Sequence, residues 1–345
     1  MRWYPKTVQF QSNLYMGGRY RSEERCIVLQ YQYSTHCWRK LPAYDYYWFG
    51  MCQVNGHLTL VGGRDRYTHN YTNKLGVWDP SSQQWTQPYP PMITPRRDPE
   101  VATYNNYLLA AGGDDGRRML TTVEVLDVMA SKQWLSAKQL PIPCQLKTSA
   151  ILHDHWYIIT ASKQVMCTSL PELCNVSQTV TKSATTNAPA RWMRLCDTPL
   201  EHTTAVAVHG SLLTVGGYHG TANTTIYLYH PETNKWTKVG DLPTPRYYCS
   251  VALLPSNEIL VLGGSAESLY NTTKSVNIAT IMDWYFACKL VGIMYRNFYS
   301  GNMKHIYISM IHPHLKYASA VWDPHQLKDI RILEKVQQFA MQKSL

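Results

Sequence analysis

Short apolar runs, each stopped by glycine, recur along the first 265 residues: Leu58-Thr59-Leu60-Val61, Tyr107-Leu108-Leu109-Ala110-Ala111, Leu212-Leu213-Thr214-Val215 and Ile259-Leu260-Val261-Leu262. Runs this short, bounded by Gly, predict strands buried on both faces. Another short run lies upstream, as in Ala205-Val206-Ala207-Val208 and Ser250-Val251-Ala252-Leu253-Leu254. The connectors Asn55-Gly56, Asn105-Asn106, His209-Gly210 and Ser256-Asn257 tolerate positive φ and predict tight hairpins. After each glycine stop, a polar loop leads to a third strand carrying an aromatic, such as Gly76-Val77-Trp78-Asp79 or Ile226-Tyr227-Leu228-Tyr229. A fourth strand then opens with tryptophan.

These marks are periodic. Glycine pairs stand at Gly17-Gly18, Gly62-Gly63, Gly112-Gly113, Gly216-Gly217 and Gly263-Gly264, with first-glycine spacings of 45, 50, 104 and 47. The long spacing is two periods, and within it Ala161-Ser162 replace the missing pair after Ile158-Ile159-Thr160. Trp38, Trp85, Trp134, Trp192, Trp236 and Trp284 keep the same phase, 19 to 22 residues after the second glycine wherever a pair exists. Four antiparallel strands per repeat of about 48 residues, six times over, describe an all-β, six-bladed propeller.

The joint apolar–Gly-Gly–aromatic–Trp pattern resembles the kelch repeat over about residues 7 to 284, five of six units carrying both markers. The resemblance implies a kelch-type propeller across residues 1–284, closed by pairing strands of its first and last blades. It also implies partner contacts made by inter-strand loops. Unit four departs by lacking its glycines and by a Ser/Thr-rich insertion, 175–190, expected to be a long loop.

After Trp284 the pattern stops. Residues 285–345 carry eight Lys/Arg and three acids, and Leu327, Ile330, Leu333, Val336 and Ala340 follow Asp323-Pro324 at helical spacing. One amphipathic helix is expected. The stretch from His312 to Gln337 resembles the C-terminal end of reverse-transcriptase reading frames in non-LTR retrotransposons. The paired aspartates such a polymerase needs are missing from it, because Asp114-Asp115 follows a propeller glycine pair. This basic, partly helical tail is expected to lie outside the propeller.

Composition narrows the class. Charged residues are 16% and the net charge is +10, which is too little charge density for disorder by self-repulsion. No apolar run is long enough to cross a bilayer, and the opening Met1-Arg2-Trp3-Tyr4-Pro5 has no apolar stretch like that of a signal peptide. Nine cysteines without a Cys-x-x-Cys pair indicate neither a disulfide framework nor a zinc ribbon. The expected setting is soluble, reducing and cytoplasmic. His153/His155 and His312/His314 lack a third ligand in sequence reach, and nucleotide-binding, zinc-protease and serine-hydrolase motifs are missing. No cofactor is expected, nor any membrane or specific nucleic-acid partner.

The loops after the first three glycine pairs are rich in arginine: Arg19, Arg21 and Arg25, then Arg64 and Arg66, then Arg117 and Arg118. Guanidinium forks suit carboxylates, so these loops are candidates for a protein partner, for example an acidic peptide. Tyr67, Tyr218 and His219 belong to the same set. Against this stands the reading of solvated loops with local ion pairs, given Glu23, Glu24, Asp65, Asp114 and Asp115 among them. A second set, Arg96, Arg246 and Tyr247, lies where the fourth strand hands over to the next blade. The kelch resemblance places such residues near the central channel, and the competing reading is blade-to-blade packing.

The function expected is a non-enzymatic protein-interaction scaffold or adaptor. One alternative is a copper-radical oxidase resembling galactose oxidase, which would need copper, two His ligands and a Cys–Tyr crosslink. Another is the substrate-recognition part of a cullin ubiquitin ligase, which would need BTB and BACK domains N-terminal to the propeller.

Overall fold

The computed structural model describes residues 5–11, 13–19, 26–33, 37–130, 133–175, 191–254, 258–265 and 277–280. Arg21, Arg25, the insertion after Asn175, Trp284 and the 285–345 tail, with its expected helix, lie outside the described residues.

Blade one comprises β1 (Lys6–Phe10), β2 (Asn13–Arg19), β3 (Cys26–Gln32) and β4 (Cys37–Lys40), antiparallel in that order. A two-residue strand β5 (Tyr46–Tyr47) leads into β6 (Gly50–Val54) and β7 (His57–Val61) of blade two. There β8 (Arg64–Asp65) pairs with β5, while β9 (Leu75–Asp79) and β10 (Gln84–Thr86) complete the sheet. Blade three is β11 (Glu100–Tyr104), β12 (Tyr107–Ala111), β13 (Val123–Asp127) and β14 (Leu135–Ala137). Blade four is β15 (Leu146–Leu152), β16 (His155–Thr160), β17 (Val165–Ser169), a short helix α1 (Leu170–Cys174) and β18 (Met193–Leu195). Blade five is β19 (Thr204–Val208), β20 (Ser211–His219), β21 (Thr221–His230) and β22 (Lys235–Arg246). Three further strands, β23 (Ser250–Leu253), β24 (Glu258–Leu262) and β25 (Asn277–Thr280), form a sixth sheet.

The expectation of six four-stranded blades is therefore corrected to five complete ones plus a three-stranded sheet among the described residues. The strands β1, β6, β11, β15, β19 and β23 are successive neighbours, and β23 returns to β1, so six sheets stand around one channel. Blade one draws its four strands from residues 6–40, and any closing strand after Thr280 lies outside the described residues. The first and sixth sheets meet face to face, with Leu14 and Met16 against Ala252, Leu260 and Leu262. Thr7 Oγ1 lies 2.7 Å from Ser250 Oγ and donates to the Val251 carbonyl at 3.0 Å, joining β1 to β23.

The apolar runs are continuous because each second strand serves two interfaces. In β12, Leu108 and Ala110 join Cys52, Val61 and Met92 of blade two, whereas Leu109 and Ala111 join Leu146, Trp156 and Ile158 of blade four. Alternate side chains point to opposite faces of a strand, so both sets must be apolar. The tryptophan period has an equally direct cause. Trp85 Nε1 donates to Pro42 O (3.0 Å), Trp134 to Pro90 O (2.9 Å), Trp192 to Lys138 O (3.0 Å) and Trp236 to Cys196 O (3.1 Å). Each acceptor lies just beyond the fourth strand of the preceding blade. One indole thus packs within its own sheet and fastens it to the sheet before.

The hairpin expectations hold at Asn55-Gly56 (φ 48° and 79°) and His209-Gly210 (φ 44° and 77°), whereas Ser256-Asn257 lies outside the described residues. At Ala161, the N–H donates to Gln145 O at 2.9 Å in the linker entering its own blade, whereas Gly63 N–H donates to Arg96 O at 2.8 Å in the linker leaving blade two. Thr160 N–H then bonds Gln164 O at 2.9 Å, so blade four turns back at once where blade two runs a loop from Gly62 to Lys74. Helix α1, with Pro171 in its first turn, was not expected from the sequence pattern. It buries Leu170, Leu173 and Cys174 between blades three and four.

Candidate functional site: a loop face around a channel mouth

In blades two, three and five and in the sixth sheet, the linker entering the blade pairs with the loop that follows its second strand. Tyr47 opposes Arg64, Arg97 opposes Asp114, Glu201 opposes Tyr218 and Tyr247 opposes Ser265. The two sets of segments therefore share one face of the propeller, and the hairpins joining first and second strands occupy the other.

On this face Arg64 is half-buried, its Nε donating to His69 O at 2.8 Å and its guanidinium 6.0 Å from the ring centres of both Tyr47 and Tyr71. Arg66 lies over the ring of Tyr67 at 4.3 Å, and Tyr67 is 67% exposed. Arg117, Arg118 and His219 are exposed, while Tyr218 is half-buried against Tyr247, ring centres 5.2 Å apart. The interspersed acids have local duties. Asp65 accepts the N–H groups of Tyr67 and Thr68 at 2.8 Å, and Asp115 those of Arg117 (2.9 Å) and Arg118 (3.0 Å). Backbone donation, led by Thr68 and by Arg117 respectively, holds both carboxyls below the usual range. These acids shape the loops that present the arginines.

The second set sits elsewhere. Arg96 and Arg246 are fully buried and Tyr247 is 5% exposed. Arg96 donates to Gly112 O (2.9 Å), Thr122 O (3.1 Å) and Thr122 Oγ1 (3.0 Å), and is ion-paired with Glu124. Glu124 in turn accepts Ile93 N–H (2.7 Å) and Thr94 N–H (3.1 Å). Arg246 donates to Gly263 O at 2.7 Å. The channel placement expected for Arg96, Arg246 and Tyr247 is thus corrected to the joints between blades. A guanidinium there donates to buried carbonyls at the joint, sharing that of Thr122 with the Gly112 N–H.

The mouth is built instead from the residues next along the chain. Trp48, Asp98, His202 and Tyr248 all have positive φ, between 48° and 60°. The first three stand 14 residues before Gly62, Gly112 and Gly216, and Tyr248 stands 15 before Gly263. Asp98 N–H donates to Trp48 O (2.6 Å), Tyr248 N–H to His202 O (3.3 Å) and His202 N–H to Ala161 O (3.1 Å). His202 and Tyr248 stack with ring centres 4.3 Å apart, and Arg97 covers Trp48 at 4.9 Å. Sequence reasoning missed these residues. Their fixed offset from the glycine pairs was the available signal.

Below the mouth, the inner strands enclose a cavity of about 350 Å³ lined by Lys6, Glu100, Lys147, Ser149, Ser250 and neighbours. Lys6 is ion-paired across the channel with Glu100, which also accepts Ser149 Oγ–H at 3.0 Å. Burial pulls the Lys6 amine down, but Glu100 and Asp98 more than restore it, leaving it raised. Lys147 occupies a bulge between Leu146 and Thr148, where the β15–β16 register shifts. Its Nζ lies 5.1 Å from the Tyr248 ring centre. Burial, and next the like charge of Lys6, bring Lys147 down to about 8. Burial also raises Asp98 and, with Lys147 second, lowers His202. Among the described residues no three His, Cys, Asp or Glu side chains group as a metal site requires, and the eight cysteines are unpaired thiols. No described helix is long and apolar enough to cross a membrane.

Comparison with known proteins agrees with this architecture. A model of the Kelch motif matches residues 95–141 and 199–243. Kelch-like protein 35 of Mus musculus is 26% identical over 229 residues, covering 66% of this chain and 36% of the relative. Kelch repeat and BTB domain-containing protein 2 of Homo sapiens is 23% identical, covering 56% and 33%. Kelch-like protein 23 of Homo sapiens is 22% identical, covering 74% and 44%. The chain thus spans between a third and a half of the length of these relatives. The solved structure of YjhT superposes with a TM-score of 0.64 at 15% identity, covering 81% of this chain and 95% of that one. Repeat pattern, sheet order and similarity converge: this chain is a β-propeller that carries Kelch motifs and is similar to kelch-like proteins.

Proposed function

We propose that this propeller is a non-catalytic interaction scaffold of the cytoplasm, which holds an acidic segment of a protein partner over its loop face. The observation that carries the reading is the convergence on that face of Arg64, Arg66, Arg97, Arg117 and Arg118 around a channel mouth containing Lys147. The aromatic rings of Tyr47, Trp48, Tyr67 and Tyr71 lie against several of these cations. Arginines stacked on aromatics keep their donor forks ordered while remaining available to carboxylates. One relative is named for a BTB domain as well as kelch repeats. By that likeness the propeller would be the recognition part of a longer adaptor.

A fluorescent Asp/Glu-rich peptide, compared with a Lys-rich peptide of equal length by anisotropy, tests the reading. The acidic peptide should bind and the basic one should not. Arg64→Glu with Arg117→Glu should weaken binding by about 10- to 100-fold, the scale of two interface charges, with the melting temperature nearly unchanged. Unchanged affinity would place binding on another face, and an equal loss of stability would make these arginines structural.

The pH dependence has a definite sign. Lys147 is cationic below about 8 and neutral above it. Affinity for the acidic peptide should therefore fall as pH rises through 8, and Lys147→Met should flatten that part of the profile. A profile that is flat between pH 7 and 9 in the unmodified protein would remove Lys147 from the binding site.

A further inference from the structure

We propose that Lys147 is a covalent modification site, its ε-amine condensing with small aldehydes that enter the channel mouth. The inference goes beyond partner binding on the loop face. Two lysines share the cavity and differ in one respect. Lys6 is ion-paired with Glu100, while Lys147, held inward by the bulge in β15, has no hydrogen bond or ion pair among the described residues. Its near contact is the face of Tyr248, which offers a cation attraction but no acceptor for its N–H groups. A cavity of about 350 Å³ admits a small organic molecule beside it.

The chemistry is self-contained. The free amine attacks the carbonyl carbon and a C–N bond forms. The carbinolamine oxygen then leaves as water while the C=N bond is made. Nothing is oxidised or reduced. The amine must be neutral to attack. With Lys147 brought down to about 8, roughly a quarter is free base at pH 7.5, against about a thousandth for an ordinary lysine.

The test uses the full chain with propanal and cyanoborohydride as reducing trap, and peptide mass spectrometry to follow each lysine separately. Lys147 should be alkylated at least ~10-fold faster at pH 7.5 than Lys6 or the exposed Lys74 and Lys235, since its larger free-base fraction outweighs its lower basicity. Its rate should rise with a midpoint near pH 8. In Lys6→Met, Glu100 is left facing Lys147 without its cation, so Lys147 should become more basic and its labelling several-fold slower at pH 7.5. Labelling of Lys147 no faster than Lys74, or a midpoint in the ordinary lysine range, would overturn the proposal. An undiminished rate in Lys6→Met would do the same. The ranking of lysines in the unmodified protein decides the matter even if the variant does not fold.

Discussion

Arg96→Met should destabilise the propeller by about 3–5 kcal/mol, because it strands the Glu124 carboxylate in a site with no access to water. Glu124 sits on β13 of blade three, while Arg96 belongs to the linker that leaves blade two. The pair fixes the angle at which one sheet meets the next, and four donor bonds from the guanidinium satisfy Thr94, Gly112 and Thr122 acceptors at the same joint. Removing both charges should cost less than removing one. Chemical denaturation of Arg96→Met, Glu124→Leu and the double variant gives the comparison. A double variant no better than Arg96→Met would show that the carbonyl contacts, and not the ion pair, carry the joint.

Gly113→Ala and Gly216→Ala should each cost about 2–5 kcal/mol, combining left-handed backbone strain with a forced clash. A Cβ at Gly113 (φ +87°) would lie 2.4 Å from Arg97 O, and one at Gly216 (φ +59°) 2.4 Å from Arg246 O. Both obstacles are backbone, of the linker entering blade three and of the end of β22, and cannot swing aside as a side chain could. Two further substitutions separate the contributions. Gly220→Ala meets no atom within 4 Å but has φ +73°, so only strain should appear, about 1–2 kcal/mol. Gly240→Ala meets only Ile226 Cδ1 at 4.0 Å and should be nearly neutral. Equal costs at all four positions would contradict the close-approach explanation of the glycine pairs.

Features of the fold that rest on local rules were legible in the sequence. A glycine pair is required where a linker carbonyl crosses the strand end, and a tryptophan where an indole must reach the preceding blade. Both constraints recur once per sheet, so period and phase gave strand order directly. Ring closure was not legible in this way, because it depends on Thr7 meeting Ser250 across most of the chain. Nor could Pro95-Arg96 and Pro245-Arg246 show whether a guanidinium faces the channel or a joint. Arg96 is decided by Glu124, 28 residues on, whose place on a third strand looked like any strand acid. Lys147 was missed because nothing in its neighbours announces a bulge. The rim arginines were visible as a cluster, but the sequence did not show that Asp65 and Asp115 are bonded to loop N–H groups and shape the loops, with Asp115 also 3.9 Å from Arg118 and Asp114 3.5 Å from Arg97.

Amide hydrogen exchange of the propeller, with and without the bound acidic peptide, tests the interaction face most directly. The account predicts protection confined to the linkers around Asp98, His202 and Tyr248 and to the loops carrying Arg64, Arg117 and His219. The hairpins at Asn55-Gly56, Asn105-Asn106 and His209-Gly210 on the opposite face should exchange unchanged. Protection centred on those hairpins, or no protection anywhere at saturating peptide, would contradict it.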